Sequence, residues 1–179
     1  MTLTAELYFS FRSPYSYLAV GRYRAMTANY DLDITLRPVW PLAIREPDFF
    51  ERNHPNWLGY TMRDMLRVAQ FHGIPFGAPR PDPIVQDVAT RRIAGDQPHI
   101  RWVTRMGQAA ARRGSGLPFA HEAGQLIWGG QENWHEGDHL GGAVARAGLD
   151  PAEIEREVAA QSDALDAEIA ANQDALEAA

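Results

Sequence analysis

From Ala5 to Phe11 apolar and polar side chains alternate, with Leu7, Phe9 and Phe11 on one side and Glu6, Tyr8 and Ser10 on the other, the pattern of a half-buried strand. A helix is expected over Pro14 to Asn29 and a second strand over Leu32 to Val39, where Leu32, Ile34 and Leu36 alternate with Asp33, Thr35 and Arg37. Strand, helix, strand is a βαβ unit. Its strands should run parallel through a right-handed crossover, and ligands gather at the carboxyl edge of such a sheet.

Prolines at 41, 47 and 55 predict a loop from Trp40 to Pro55 with a helical turn about Asp48 to Arg52. Trp57 to Gly73 follows as a helix with an apolar stripe of Leu58, Met62, Met65 and Ala69, stopped by Gly73 and Pro75. Ile74 to Pro83 holds four prolines and reads as a rigid loop. Beyond it, helices are expected over Pro98 to Arg113, Phe119 to Trp128 and Gly137 to Ala147, with another opening at Pro151 after the capping Asp150. Ile154, Val158, Leu165, Ile169 and Leu176 mark a closing amphipathic helix or helix pair. Residues 1–40, 41–150 and 151–179 divide the chain accordingly.

Composition narrows the function. The 179 residues are 45% hydrophobic and 22% charged, with no apolar run of membrane length and no basic leader in Met1 to Glu6, so a soluble cytoplasmic protein is expected. There is no cysteine, which excludes disulfides, thiol nucleophiles and thiolate metal ligands in the chain itself. Every one of the 17 basic side chains is arginine, the residue suited to forked recognition of carboxylates. From Asp150 onward nine carboxylates face Arg156 alone, so the net charge of −6 belongs to the C-terminal helices. Separate Arg91-Arg92 and Arg112-Arg113 pairs on an acidic protein make a poor nucleic-acid footprint.

The candidate chemistry centres on Ser13-Pro14. Serine is a favoured N-cap and proline fits the first helical position, so Ser13 stands where backbone N–H groups converge and the helix dipole favours an anion. That position serves equally as a plain cap. Tyr60 and Asp64 lie one turn apart on the next long helix, where Asp64 either pairs with Arg67 or receives a polar ligand group. Asn53 precedes that helix as a polar contact, and Arg12 at the helix mouth is placed to bind a carboxylate. His135-Glu136-Gly137-Asp138-His139 matches the H-E-x-x-H pattern of zinc hydrolases, an alternative that needs both histidines on one face of a stable helix. Asp138 as a helix-opening carboxylate is the simpler account. Trp102, Trp128 and Trp134 read as packing residues, and no chemistry is assigned to His54, His72, His99 or His121.

The run Phe11-Arg12-Ser13-Pro14-Tyr15-Ser16-Tyr17-Leu18-Ala19 resembles the signature of 2-hydroxychromene-2-carboxylate isomerases and kappa-class glutathione transferases, in the DsbA-like thioredoxin superfamily. Tyr60, Asp64, Arg67 and Ala69, followed by Gly73-Ile74-Pro75-Phe76, resemble that family's helix and its Gly-Ile-Pro ending, and Trp128-Gly129 and Ala147-Gly148-Leu149-Asp150 resemble further landmarks. The resemblance implies an α/β, thioredoxin-like fold with a large helical insertion over 41–150 and a return toward the first domain over 151–179. It implies glutathione as cofactor, its sulfur held as a thiolate by Ser13, with Asn53, Tyr60 and Asp64 as further contacts and Arg12 and Tyr15 against a small aromatic carboxylate. The thiolate adds reversibly to the substrate, and a homodimer using the acidic C-terminal helices is expected. Relatives continue into a strand with a cis-proline loop, absent from this sequence, so a truncated or non-catalytic thioredoxin-like domain is the alternative. Ser10, Trp57 and the run Pro79 to Pro83 also depart from the family's pattern.

Overall fold

A computed structural model describes residues 1–87, 90 and 92–179, with side chains at all of these except 50 and 51; Arg91 of the first arginine pair lies outside the described residues. β1 (Leu3–Phe9) and β2 (Leu32–Pro38) run parallel, in register from Leu3 opposite Leu32 to Phe9 opposite Pro38, and α1 (Pro14–Asn29) joins them. β1 ends two residues before Phe11 because the Ser13 N–H turns back onto the Ser10 carbonyl at 3.0 Å. Phe11 still faces inward, its ring edge-on to Phe9 and tilted against Phe119.

After the sheet come α2 (Leu42–Arg45), α3 (Phe49–Arg52), α4 (Asn56–His72), α5 (Pro98–Arg112), α6 (Gly116–Trp128), α7 (His139–Arg146), α8 (Pro151–Ala160) and α9 (Ser162–Ala178). α2 was not expected; a single turn flanked by prolines leaves no periodicity to read. α6 starts three residues before Phe119, taking Pro118 into its first turn, where a missing N–H costs nothing. α4 ends as predicted: Gly73 sits at φ 63°, its N–H and that of Ile74 closing on Gln70 and Ala69. Only half of the predicted α4 stripe is buried. Met65 and Ala69 are covered, whereas Leu58 and Met62 are exposed, because α4 docks on α1 through its C-terminal half.

One apolar cluster joins Phe9, Leu18 and Val20 to Ile100, Met106, Phe119 and Ile127, and on to Ile154 and Leu165. α5 crosses the sheet end at Gly107, where an added Cβ would stand 2.6 Å from the Phe11 ring, so only glycine allows the approach. α8 and α9 turn Ile154, Val158, Leu165 and Ile169 onto α5, and the acidic faces beside that stripe are not simply solvated. Arg105 grips Asp166 through two bonds of 2.7 Å, and Arg112 joins Glu157 and Glu168, with Arg113 also on Glu157. Buried Asn172 ties α9 to the sheet, donating to Pro38 O and Gln108 Oε1 at 3.0 Å.

These pairs set an acid limit on stability. Hydrogen bonds from Arg112 hold Glu168 below the ordinary 4.5, and Glu157 is lowered too, its burial outweighed by Arg113 and Arg112. Depressed carboxylates contribute stability above their unfolded pKa and lose it as pH falls through the lowered folded values. Thermal melts should therefore fall more steeply into acid for the native chain than for Arg112→Gln, which is already weakened at neutral pH. Parallel curves would exclude this cluster.

Candidate functional site

The site begins where β1 turns into α1. Ser13 has extended backbone angles, φ −89° and ψ 115°, and its Oγ accepts the Ser16 N–H at 3.3 Å, the N-cap expected from Ser-Pro. A serine hydroxyl has one proton to donate besides its acceptor positions, and the Ser13 proton meets no protein acceptor among the described residues. The backbone N–H of Tyr15, in the first turn, has no intrahelical carbonyl to bond. An anion at this half-buried helix mouth is therefore offered an O–H, an N–H and the positive end of a 16-residue helix.

Tyr15 and Asp64 meet across the mouth, the phenol donating to Asp64 Oδ2 at 2.6 Å. Asp64 thus pairs with Tyr15 from another helix and not with Arg67, correcting the local i, i+3 reading. Desolvation, then the hydrogen bond to Asp64 and its negative charge, push the Tyr15 phenol up to about 12. Tyr15 stays protonated at neutral pH. A raised phenol contributes stability below its unfolded pKa that disappears as pH climbs through the folded value. An ultraviolet phenolate titration, with Tyr15→Phe as the difference reference, should show a midpoint near 12, and Asp64→Asn should lower it while burial keeps it above the ordinary 10.0. An unchanged midpoint in Asp64→Asn would mean that the pair does not form.

Arg12 is close by but committed. Its Nε and Nη2 donate to the two oxygens of Asp82, both at 2.5 Å, and its guanidinium lies 5.4 Å from the centre of the Trp128 ring. This corrects the expectation of a free carboxylate binder. Trp128 donates to Phe11 O at 3.1 Å and stacks on Phe76, which stacks in turn on Tyr17, whose hydroxyl donates to Pro75 O at 2.6 Å. The Gly-Ile-Pro-Phe segment thereby becomes an aromatic wall behind Ser13. Asp82 is the residue that local spacing missed: it is 70 positions from Arg12 and its one signal is an acid between two prolines.

Two other candidates stand apart. Tyr60 is 66% exposed one turn before Asp64, near enough for its phenol to add to the Tyr15 shift. Asn53 spends its Nδ2 on Phe49 O at 2.6 Å, closing the turn of α3, and its Oδ1 accepts no hydrogen bond among the described residues. The zinc alternative fails on geometry. α7 opens only at His139, so His135 and His139 do not share a helix face, and among the described residues no three His, Asp or Glu side chains gather for a metal. His135 instead packs on the His99 ring at 4.3 Å.

A short strand feeding a serine-capped, proline-opened helix, with a helical layer packed over a parallel pair, is a thioredoxin arrangement, and the model of the DsbA-like thioredoxin domain matches residues 4–179. The chain belongs to the DsbA-like thioredoxin family. Solved structures share the DsbA-like fold at low identity. A 2-hydroxychromene-2-carboxylate isomerase matches with a TM-score of 0.61 and 21% identity over 93% of this chain and 77% of its own. The cytosolic disulfide reductase DsbM of Pseudomonas aeruginosa matches at 0.64 and 20%, over 98% and 78%. A putative protein disulfide isomerase of Nitrosomonas europaea matches at 0.61 and 12%, over 96% and 76%. No curated protein matches. Among the described residues of this DsbA-like chain, no helix is long and apolar enough to cross a membrane.

Proposed function

We propose that this chain is a glutathione-dependent isomerase or transferase resembling 2-hydroxychromene-2-carboxylate isomerase, acting on a small aromatic carboxylate. The observation that carries the reading is the Ser13 hydroxyl proton at the mouth of α1, unspent among the described residues, in a family member without cysteine. The residues fit a thiolate, since a helix N-terminus and a hydrogen-bond donor are what lower a thiol's pKa. Bound there, glutathione supplies a thiol nucleophile that adds to the substrate's conjugated system and is released again. Ser13 donates a hydrogen bond to the sulfur and keeps its proton. Asp64, its Oδ2 held by Tyr15, presents Oδ1 to a donor of the peptide, and Tyr60 and the Asn53 Oδ1 offer further polar contacts. Asp82 holds Arg12 against Trp128 and so shapes the mouth.

Disulfide reduction, the activity named for the DsbM relative, has no cysteine to work through in this sequence. A cytoplasmic location accompanies the isomerase reading. The homodimer also stays a proposal, with a change of surface: the C-terminal stripe is covered by α5, and the apolar row left exposed is Leu58, Met62 and Leu66 of α4. Light scattering decides this, because a native chain that is monomeric at high concentration overturns it.

The deciding experiment is a titration with reduced glutathione followed by thiolate ultraviolet absorbance at neutral pH. A thiolate band should appear on binding and disappear in Ser13→Ala, with S-methylglutathione giving no band. Failure of the native chain to bind glutathione overturns the reading.

A further inference from the structure

The fork between Arg12 and Asp82 uses one edge of the guanidinium. That group carries its N–H donors in one plane, with a side edge made by Nε and Nη2 and an end edge where Nη1 and Nη2 point parallel N–H bonds away from the chain. Asp82 takes the side edge, through Nε and Nη2. The end edge meets no acceptor among the described residues. Nη1 is not sealed off: it lacks a partner yet reaches solvent, and the Arg12 side chain is 29% exposed.

That edge is held in place. Asp82 stands between Pro81 and Pro83, whose rings restrict the backbone on both sides, and its Oδ1 accepts the Ile84 N–H at 2.9 Å as well as the Arg12 Nε–H. Trp134 anchors the same segment through Pro81 O. The guanidinium also lies over the Trp128 ring, itself buried and stacked on Phe76. An arginine fixed by a carboxylate and an indole has already lost its rotamer freedom, so a ligand on the open edge is spared that ordering cost.

Charge decides what the edge selects. Asp82 balances Arg12, so the pair attracts an anion weakly at a distance and strongly only in contact, through the parallel N–H groups. Two coplanar oxygens sharing one negative charge match those groups. A carboxylate has them, whereas a primary amide offers one oxygen and no charge.

We infer that the end edge of Arg12 receives the carboxylate of the ligand at the α1 mouth, with Asp82 as the positioning residue that aims it. Arg12 is neither the free binder expected from its place before Ser13 nor wholly spent. The inference rests on the proposed function for the class of ligand, and on the Asp82 fork, Trp128 and the open edge for its geometry.

Benzoate titrated calorimetrically into the full chain, without glutathione, tests the inference. Saturable one-site binding is expected, about tenfold weaker in Arg12→Lys, which keeps a cation beside Asp82 but has no planar edge. Benzamide should bind about tenfold more weakly than benzoate and be indifferent to that substitution. Raising salt from about 50 to about 500 mM should leave the native affinity within about twofold, whereas Asp82→Asn, its arginine charge unbalanced, should lose at least about fivefold. Heteronuclear spectra of the native chain give a second measurement: the Arg12 Nε–H should keep its hydrogen-bonded position at saturation, because benzoate joins the pair without displacing Asp82. Absence of benzoate binding, equal binding by Arg12→Lys or by benzamide, an unchanged salt dependence in Asp82→Asn, or an Arg12 Nε–H released at saturation overturns the inference. A chain that binds benzoate but not glutathione keeps it and loses the glutathione reading, and the reverse result loses the carboxylate site alone.

Discussion

On the glutathione reading proposed above, Ser13→Ala should lower kcat/KM by about 100-fold, the order found when one preorganised donor to a developing anion is removed. The same substitution deletes an N-cap, costing about 1 kcal/mol and about 2–4 °C in Tm for a chain of this size. The two readouts separate the roles. A plain cap predicts the small melt shift with activity nearly unchanged, whereas a donor to sulfur predicts a large loss of activity beside the same small shift. Ser13→Thr retains both the cap and an O–H, so it should recover much of the rate. Steady-state kinetics of the three proteins with a chromene carboxylate decide the matter, and an alanine variant within about threefold of the native rate would leave α1's N-terminus as the sole anion binder.

The largest expected loss of stability lies elsewhere, at Trp134. Its side chain is completely buried and its indole N–H donates to Pro81 O at 2.8 Å. Truncation to alanine combines a lost aromatic core contact with an unpaired carbonyl and should cost about 3–5 kcal/mol. At about 2–4 °C per kcal/mol, the melt falls by about 6–20 °C. Trp134→Phe restores most of the volume but not the donor, so it should recover part of the loss only. The effect reaches the site by contact. Asn133 N–H also donates to Arg80 O at 2.8 Å, so the turn about Trp134 braces the 80–82 segment that presents Asp82 to Arg12. A melt for Trp134→Ala within about 2 °C of native would mean that this brace carries no weight.

What could be read in the sequence was what short-range chemistry decides. Ser13 capping α1, Pro151 after Asp150, and Gly73 ending α4 each depend on a few adjacent residues, and each formed as expected. The parallel pair followed from two alternating runs joined by a helix. Partners distant along the chain left no such trace. Asp64 could be placed one turn from Tyr60 and Arg67, but nothing local told that Tyr15, 49 positions away, would take its oxygen. The fork between Arg12 and Asp82 was hidden for the same reason. Apolar periodicity locates α4 and its stripe without showing how far along it the neighbouring helix extends, and Leu58 and Met62 of that stripe stay exposed. The C-terminal helices are legible from their apolar stripe and their excess of carboxylates. Their compensation by Arg105, Arg112 and Arg113 needed the crossing of α5, which no spacing reveals.

The aromatic wall also makes the mouth of α1 optically addressable. Trp128 is buried at 4% exposure, is hydrogen-bonded to Phe11 O, and touches both the Phe76 ring and the Arg12 guanidinium. An indole held this way emits from a dry environment and is sensitive to any charge that moves beside it. A chain in which Trp40, Trp57 and Trp102 are replaced by phenylalanine, with Trp134 kept because it braces the 80–82 segment, would thus report, as a change in emission colour and lifetime, each event that draws Arg12 from its seat.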